Sequence, residues 1–356
     1  MNEHVSRLQS KLGEFADAAL IFSEVSRFYF TGFPATDGCL FVTKDNAVFY
    51  TDSRYTEAAE KKIGGEFVRN SNRLYEELNT YFSDNGIKTV ALENERLTLK
   101  QYEDLCKKLP GVDFVVNDRL SSTISSLRAV KTDDEIKEIV KAQRIAEKAF
   151  FHILGFIKPG LTEKQVRLEL EYFMLSNGAD DLSFETIAVA GVKTSMPHGV
   201  PGDNIIKDGD FVTMDYGALV NGYHSDMTRT VAVGHVSDEQ KKVYDTVLKA
   251  HMATLSVLHN GISGVDADKA ARDVIAAAGY GDKFGHGTGH GVGVEIHEAT
   301  YLSPKSKDTL VTGNVITDEP GIYIPGRFGV RIEDMALITD SGYELLTRCP
   351  KELIVL

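Results

Sequence analysis

Two aspartates lie in a segment that is predicted to form a β-hairpin, residues 211–233. Asn221-Gly222 separates two β-prone runs and is a preferred pair for a two-residue type I′ turn. Counting back from that turn pairs Asp215 with Thr228, so Asp215 and Asp226 lie on the same strand face. Neighbouring carboxylates repel unless they are protonated or neutralised, usually by a divalent metal or a metal pair. The alternative is that both simply line the exposed face of an edge hairpin.

A glycine-rich segment, GHGTGHGVGVEIHE at 285–298, carries three of the ten histidines, His286, His290 and His297. Its glycines disfavour a helix, so His286 and His290 are not a helical metal-binding pair. A phosphate-binding loop is excluded because neither G-x-G-x-x-G nor G-K-[ST] spacing occurs. Glycine at this density instead allows the backbone and the imidazoles to approach a ligand closely.

A third segment, residues 316–334, contributes two glutamates. Glu319 precedes Pro320-Gly321, and Glu333 shares a strand face with Arg331. Taken alone, such an Arg–Glu pair is more often structural than catalytic. Together with the hairpin and the glycine-rich segment, however, these residues supply two aspartates, two glutamates and a histidine. Oxygen and nitrogen donors without cysteine suit Mn, Co, Fe or Zn in a binuclear hydrolytic centre.

The elements that would position these residues form two regions. From Phe15 to about Val116, short apolar runs alternate with polar helical stretches, which predicts a small α/β domain. The serine-rich segment 118–132 is the expected junction, giving domains 1–127 and 128–356. The second region begins with two capping boxes and contains four predicted amphipathic helices, with strands and glycine-rich turns between and after them.

Composition limits the possible partners and location. The 356 residues are 42% hydrophobic and 26% charged, with a net charge of −13, and neither region has a basic surplus. Nucleic acid and anionic membranes are therefore not expected partners. Three scattered cysteines form no disulfide framework, and neither a signal-peptide core nor a membrane-length apolar run occurs. We expect a cytoplasmic protein.

The three segments, together with SMPHG at 195–199, resemble the motifs of the M24 metallopeptidases. This group includes Xaa-Pro aminopeptidase (aminopeptidase P), Xaa-Pro dipeptidase (prolidase) and methionine aminopeptidase. The resemblance covers essentially the whole chain. It implies an α/β N-terminal creatinase-like domain followed by an α+β pita-bread (creatinase/aminopeptidase) catalytic domain.

The resemblance also implies a role for each candidate ligand. Asp215 would chelate one metal ion, and Asp226 would bridge two. His290 and Glu319 would hold the second ion, and Glu333 would bridge again. Two divalent ions per subunit are implied, with Mn²⁺ expected and Co²⁺ or Zn²⁺ as alternatives.

Further residues match family positions around the metals. The implied catalytic residues are His198, His297, Glu319 and Arg331, and the implied substrate-binding residues are His198, His286 and His297. Glu319 would also carry a proton from the attacking water to the leaving amine. Thr228 is expected to support the ligands from behind. Asp318 departs from many relatives, which have an uncharged residue there, and strand alternation should direct it away from the metals.

The resemblance implies hydrolysis of the bond between any residue and a following proline. Segments 29–33 and 50–55 resemble motifs of aminopeptidase P, so we expect release of the N-terminal residue from peptides with proline second. An Xaa-Pro dipeptidase is the alternative, and a non-catalytic pita-bread binding module is the alternative from another class. Methionine aminopeptidase is disfavoured because it generally lacks the N-terminal domain. Family members commonly dimerise, so a homodimer is expected.

Overall fold

The computed structural model describes residues 3–356, which divide into two compact units, one ending at Arg128 and the other spanning Ala129–Leu356. Within the described range, no helix is both long and apolar enough to span a bilayer.

The first unit is a sheet with helices, as the alternation of apolar and polar runs predicts. Its strands are β1 (Ala18–Ile21), β2 (Cys39–Thr43), β3 (Ala47–Thr51), β4 (Val68–Asn70), β5 (Thr89–Leu92) and β6 (Asp113–Val115). They are arranged in the order β4-β3-β2-β1-β5-β6, with β1–β2 and β2–β3 antiparallel and the other pairs parallel.

The helices that follow or precede these strands are α1 (Glu3–Leu12), α2 (Glu24–Thr31), α3 (Thr56–Ile63), α4 (Leu74–Asn85), α5 (Leu99–Lys108) and α6 (Arg119–Ala129). The serine-rich segment expected to be a junction is mostly helical, since it forms α6. Leu120, Ile124 and Leu127 recur there at helical spacing and are buried, so packing overrides the weak helix propensity of serine.

The second unit contains α7 (Asp133–Leu154), α8 (Glu163–Ser176), α9 (Asp238–Val257) and α10 (Gly264–Ala277). The two predicted capping boxes are present: Thr132 with Glu135 begins α7, and Thr162 with Gln165 begins α8. All four helices predicted from periodicity are therefore found close to their predicted positions.

The strands of the second unit are numerous and short. They are β7 (Asp181–Leu182), β8 (Ile187–Ala190), β9 (Phe211–Tyr216), β10 (Ala218–Val220), β11 (Tyr223–His224), β12 (Met227–Ala232), β13 (Gly289–Gly291), β14 (Glu298–Leu302), β15 (Val315–Asp318), β16 (Gly321–Ile324), β17 (Phe328–Arg331), β18 (Asp334–Thr339) and β19 (Gly342–Leu345). Two sheets, in the orders β12-β9-β8 and β14-β13-β15-β18-β19, position the candidate metal ligands, and Arg331 ends β17, which pairs with β16.

The hairpin register is the one predicted from the Asn-Gly turn. Asn221 and Gly222 have φ values of 48° and 78°, as a type I′ turn requires at both central positions. Asp215 on β9 is paired with Thr228 on β12. The ladder is interrupted at Gly217, where a Cβ would lie 1.8 Å from the carbonyl oxygen of Ser225. Glycine is required at that close approach.

Glycine also allows the strand carrying His290 to fit between its neighbours. β13 pairs with both β14 and β15. A Cβ on Gly289 would lie 2.0 Å from the carbonyl oxygen of Thr317, and a Cβ on Gly291 would lie 2.3 Å from that of Ala299. The flanking glycines therefore let β13 lie close to both strands.

We predict that Gly289→Ala lowers the free energy of unfolding by about 1–3 kcal/mol or more, because β13 and β15 must separate to admit the methyl group. Urea denaturation of the metal-stripped protein measures this loss. The matched control is Gly155→Ala at the end of α7, where φ is −80° and the nearest atom is 3.6 Å from the added Cβ. Equal midpoints for the two variants would contradict the prediction.

Candidate active site

The second unit contains a cavity of about 620 Å³ in which the three sequence segments meet. Nine of the ten predicted site residues line it: His198, Asp215, Asp226, His286, His290, His297, Glu319, Arg331 and Glu333. The tenth, Thr228, is fully buried behind them. Residues separated by more than 100 positions in the sequence thus converge on one space.

The strongest candidate for holding a cation is the group formed by Asp226, His290 and Glu333. One donor atom from each lies within 4.8 Å of the other two. His290 Nε2 is 3.6 Å from Asp226 Oδ2 and 3.5 Å from Glu319 Oε1. His290 Nδ1 donates to the carbonyl oxygen of Gly291 at 3.0 Å, which leaves the Nε2 lone pair directed toward the carboxylates.

The protonation state of His290 favours the same role. Burial lowers its pKa to about 4, so the imidazole is neutral near pH 7 and its Nε2 lone pair is available to a metal. Second-sphere carbonyls commonly fix the tautomer of metal-binding histidines in this way.

Arg331 contacts Asp215 directly and is linked to Glu333 through the Thr228 hydroxyl. Its Nη2 donates to Asp215 Oδ2 at 2.6 Å, and its Nε donates to Thr228 Oγ1 at 3.0 Å. The Thr228 hydroxyl in turn donates to Glu333 Oε2 at 2.6 Å. Thr228 is paired with Asp215 through the backbone, but its side chain supports Glu333 rather than Asp215.

Two carboxylate oxygens in the cavity show that the site suits a cation. Asp215 Oδ1 and Asp226 Oδ1 are buried and have no hydrogen-bond partner within residues 3–356. An unpaired buried acceptor costs free energy that a bound cation would recover. The donor set of carboxylate oxygens and one imidazole nitrogen matches the preferences of Mn²⁺, Co²⁺ and Zn²⁺.

Burial, together with repulsion between neighbouring carboxylates, raises the pKa of Asp226, Glu319 and Glu333. Burial, reinforced by the charges of Glu333, Asp215 and Glu319, raises the pKa of Asp226 well above its usual range. Burial and the neighbouring carboxylates raise the pKa of Glu333 in the same way. Burial raises the pKa of Glu319 to about 8, against the lowering effect of Arg331. The cluster thus favours either protons or a metal cation.

His286 lies in a hydrogen-bonded chain that includes a residue not anticipated from the sequence, Tyr323 on β16. The Tyr323 hydroxyl accepts from Arg331 Nη1 at 2.9 Å and donates to His286 Nε2 at 2.8 Å. His286 Nδ1 donates to the carbonyl oxygen of Gly287 at 2.8 Å. Because both ring nitrogens are engaged, His286 holds Tyr323 and Arg331 in place while it lines the cavity.

His198 and His297 are the solvent-exposed histidines of the cavity wall. The ring of His297 lies 4.2 Å from the ring of His290, between centroids. Both histidines line the same cavity as the carboxylates and can contact a ligand that occupies it. This position suits the substrate-binding role expected from the resemblance.

A buried glutamate that sequence reasoning missed, Glu163, organises the loop carrying His198. Its carboxylate accepts from the backbone nitrogens of Ala190 and Gly202, at 2.9 and 3.0 Å, and from Asn204 Nδ2 at 3.0 Å. It also pairs with Lys193 Nζ at 2.7 Å. Both ends of the loop 190–204 are thereby anchored to the start of α8. The only sequence signal was a Glu one position after the helix cap.

The neighbouring Asp318 points away from the cavity, as strand alternation predicts. Its Oδ2 lies 2.9 Å from Nδ1 of His251 on α9, and both side chains are fully buried. His251 lies outside the three motif segments, so its contact with Asp318 was not predicted.

Comparisons with known proteins agree with these motifs. Residues 137–340 match metallopeptidase family M24, and residues 5–130 match the creatinase/prolidase N-terminal domain. The Xaa-Pro dipeptidase of Pyrococcus horikoshii is 37% identical, and the alignment covers 99% of each chain. The solved Xaa-Pro dipeptidase from Bacillus anthracis is 42% identical with a TM-score of 0.95, covering 99% of each chain.

A solved X-Pro aminopeptidase from Thermotoga maritima is 34% identical with a TM-score of 0.92, covering 98% of this chain and 100% of its own. These similarities confirm the predicted fold class, a creatinase-type N-terminal domain followed by a pita-bread catalytic domain.

We predict that the metal-stripped protein loses stability between pH 6.5 and 8. Glu319 holds its proton up to about pH 8 when folded but only to about 4.5 when unfolded, so the folded state binds more protons in this window and its stability falls as pH rises. His286 and His290 act oppositely, but only below pH 6.5.

Calorimetric Tm values at pH 6.5 and 8, with and without saturating Mn²⁺, measure this effect. The cation should reduce or reverse the fall, because it binds the ionised carboxylates. Glu319→Gln should make the metal-free dependence shallower without abolishing it, because His251, whose pKa is raised to about 9, also lowers stability as pH rises in this window. Identical slopes with and without Mn²⁺ would contradict the assignment of this cluster to a metal.

Proposed function

The chain belongs to metallopeptidase family M24, and from that membership we propose that it is an Xaa-Pro dipeptidase, which splits a dipeptide at the bond preceding proline. The observation that carries the proposal is the single cavity containing four carboxylates and the free Nε2 of His290. The sequence motifs favoured the aminopeptidase. The dipeptidase is preferred here because relatives bearing that name are 37% and 42% identical, against 34% for the aminopeptidase.

We assign Asp215, Asp226, His290, Glu319 and Glu333 to two divalent cations, with Mn²⁺ expected and Co²⁺ or Zn²⁺ as alternatives. The unpaired oxygens of Asp215 and Asp226 support this assignment. When bound, such cations lower the pKa of a coordinated water and polarise the scissile carbonyl.

The protein's own groups would then manage the proton and the developing charge. Glu319 accepts a proton from the attacking water and delivers it to the proline nitrogen, which must leave as an amine. His198 and His297, exposed in the cavity wall, bind the substrate and stabilise the oxyanion formed at its carbonyl. Arg331 is buried and acts by holding Asp215 and Tyr323 in position. A dedicated enzyme is reasonable because a proline imide has no N–H.

We further propose that the protein is cytoplasmic and acts as a homodimer on small proline-containing peptides. Its net charge of −13 supports peptides over nucleic acids as partners, and its three free cysteines support a reducing compartment. The homodimer remains a prediction based on the family resemblance.

We predict that Asp226→Asn reduces kcat/KM for an Xaa-Pro substrate by more than about 100-fold, because the change removes a charge from the group formed with His290 and Glu333. Steady-state kinetics with circular dichroism measures activity and fold together. Asp245→Asn, on the exposed face of α9, is the matched control and should retain activity. Full activity in a folded Asp226→Asn enzyme would exclude a metallopeptidase mechanism at this site.

We predict that Ala-Pro is hydrolysed in preference to Ala-Pro-Ala, and only after Mn²⁺ is added to the metal-stripped enzyme. Chromatography of released alanine distinguishes the two activities directly. Cleavage mainly of the tripeptide would instead identify an aminopeptidase. If neither peptide is cleaved although Mn²⁺, Co²⁺ or Zn²⁺ is bound, the peptidase proposal fails and a binding module is favoured.

A further inference from the structure

A buried cluster of charges lies directly behind the proposed metal ligands. His251 on α9 has Nδ1 2.9 Å from Asp318 Oδ2 and Nε2 3.0 Å from Asp334 Oδ2, and all three side chains are fully buried. Asp318 and Asp334 are direct partners in the antiparallel pair β15–β18. Their sequence neighbours are Glu319 and Glu333, which line the cavity. One histidine therefore links the residues adjacent to both glutamates.

The two aspartates need this histidine for an electrostatic reason. Like charges directly opposite each other in a sheet are destabilising, and burial removes the water that would screen them. His251 Nε2 donates to Asp334 Oδ2, and Nδ1 donates to the backbone carbonyl oxygen of Asp318 while lying within ion-pair distance of its carboxylate, so both ring nitrogens are donors and the ring carries a positive charge. Although burial opposes this charge, the carboxylates of Asp318 and Asp334 raise the pKa of His251 to about 9.

Other cations reinforce one side of the cluster more than the other. Arg229 Nη2 and Lys351 Nζ each lie 2.7 Å from Asp334. Arg229 Nη1 also donates to the backbone carbonyl of Glu333 at 2.6 Å. Within residues 3–356, Asp318 forms its ion pair with His251. The β15 side, which leads to Glu319, thus depends on His251 more than the β18 side does.

The backbone transmits this restraint to the cavity. Asp318 ends β15 and Asp334 begins β18, so holding these two side chains behind the sheet restrains the backbone at the points where Glu319 and Glu333 enter the cavity. His251 Nδ1 also lies 3.2 Å from the backbone carbonyl oxygen of Asp318, next to the Glu319 peptide. The separation of the two glutamates is therefore set from behind the sheet.

We propose that His251 is a positioning residue of the metal site, which holds Glu319 and Glu333 at the separation that metal binding requires by bridging Asp318 and Asp334. The inference rests on the metal site assigned in the proposed function. It does not depend on which peptide bond is cleaved. His251 lies 68 residues before Glu319 and outside the three sequence segments that carry the ligands.

The test is Mn²⁺ titration of the metal-stripped full-length protein by isothermal calorimetry, at a temperature where circular dichroism shows each variant to be folded. His251→Phe keeps a ring but loses both donors, and should weaken Mn²⁺ binding about 10–100-fold. His259→Phe replaces an exposed histidine just beyond the end of α9 and should bind as the wild type does. A merely structural role would lower Tm without changing the affinity of the folded protein.

Asp318→Asn provides the second variant if His251→Phe does not fold. It is nearly isosteric and removes one carboxylate from the bridge, so it should weaken Mn²⁺ binding in the same direction. Wild-type Mn²⁺ affinity in a folded variant of either kind overturns the inference. If the wild type binds Mn²⁺ with His251-dependent affinity but cleaves neither peptide, the proposed function fails while this inference stands.

Discussion

Repulsion among four carboxylates in one buried cavity is the constraint on which the rest of the catalytic unit depends. Asp215 is compensated by Arg331, and Glu333 accepts from the Thr228 hydroxyl. Asp226 keeps an unpaired buried oxygen, and burial raises the pKa of Glu319 to about 8 although Arg331 opposes the shift. A cation at this place would convert mutual repulsion into shared attraction, which is the physical basis for assigning the cavity to metals.

The fold concentrates this charge by using the ends of short strands. Asp215 is near the end of β9, Asp226 precedes β12, His290 is the centre of β13, Glu319 follows β15 and Glu333 precedes β18. These positions direct the five side chains into a common space. Their backbones remain anchored in two sheets, and the position of each side chain is therefore set by strand register rather than by a mobile loop.

Local patterns allowed much of this arrangement to be predicted. The Asn-Gly turn and simple counting gave the pairing of Asp215 with Thr228, and the capping boxes located the starts of α7 and α8. Family-like motifs identified the residues that line the cavity. Tyr323, Glu163 and His251 were missed because each has partners that are distant in sequence: Tyr323 lies 37 positions from His286, and His251 lies 67 positions from Asp318 and 83 from Asp334. No periodicity or spacing encodes such pairs, which exist only after the sheets have formed.

The hairpin that carries the two aspartates limits how this protein can evolve. Asp215 and Asp226 share a face only because the arms between them have their present lengths on either side of Asn221-Gly222. Inserting or deleting one residue within an arm would turn one aspartate to the opposite face. Side chains along these arms can therefore change during evolution far more readily than the lengths of the arms. Homologous proteins should have few insertions or deletions in this segment.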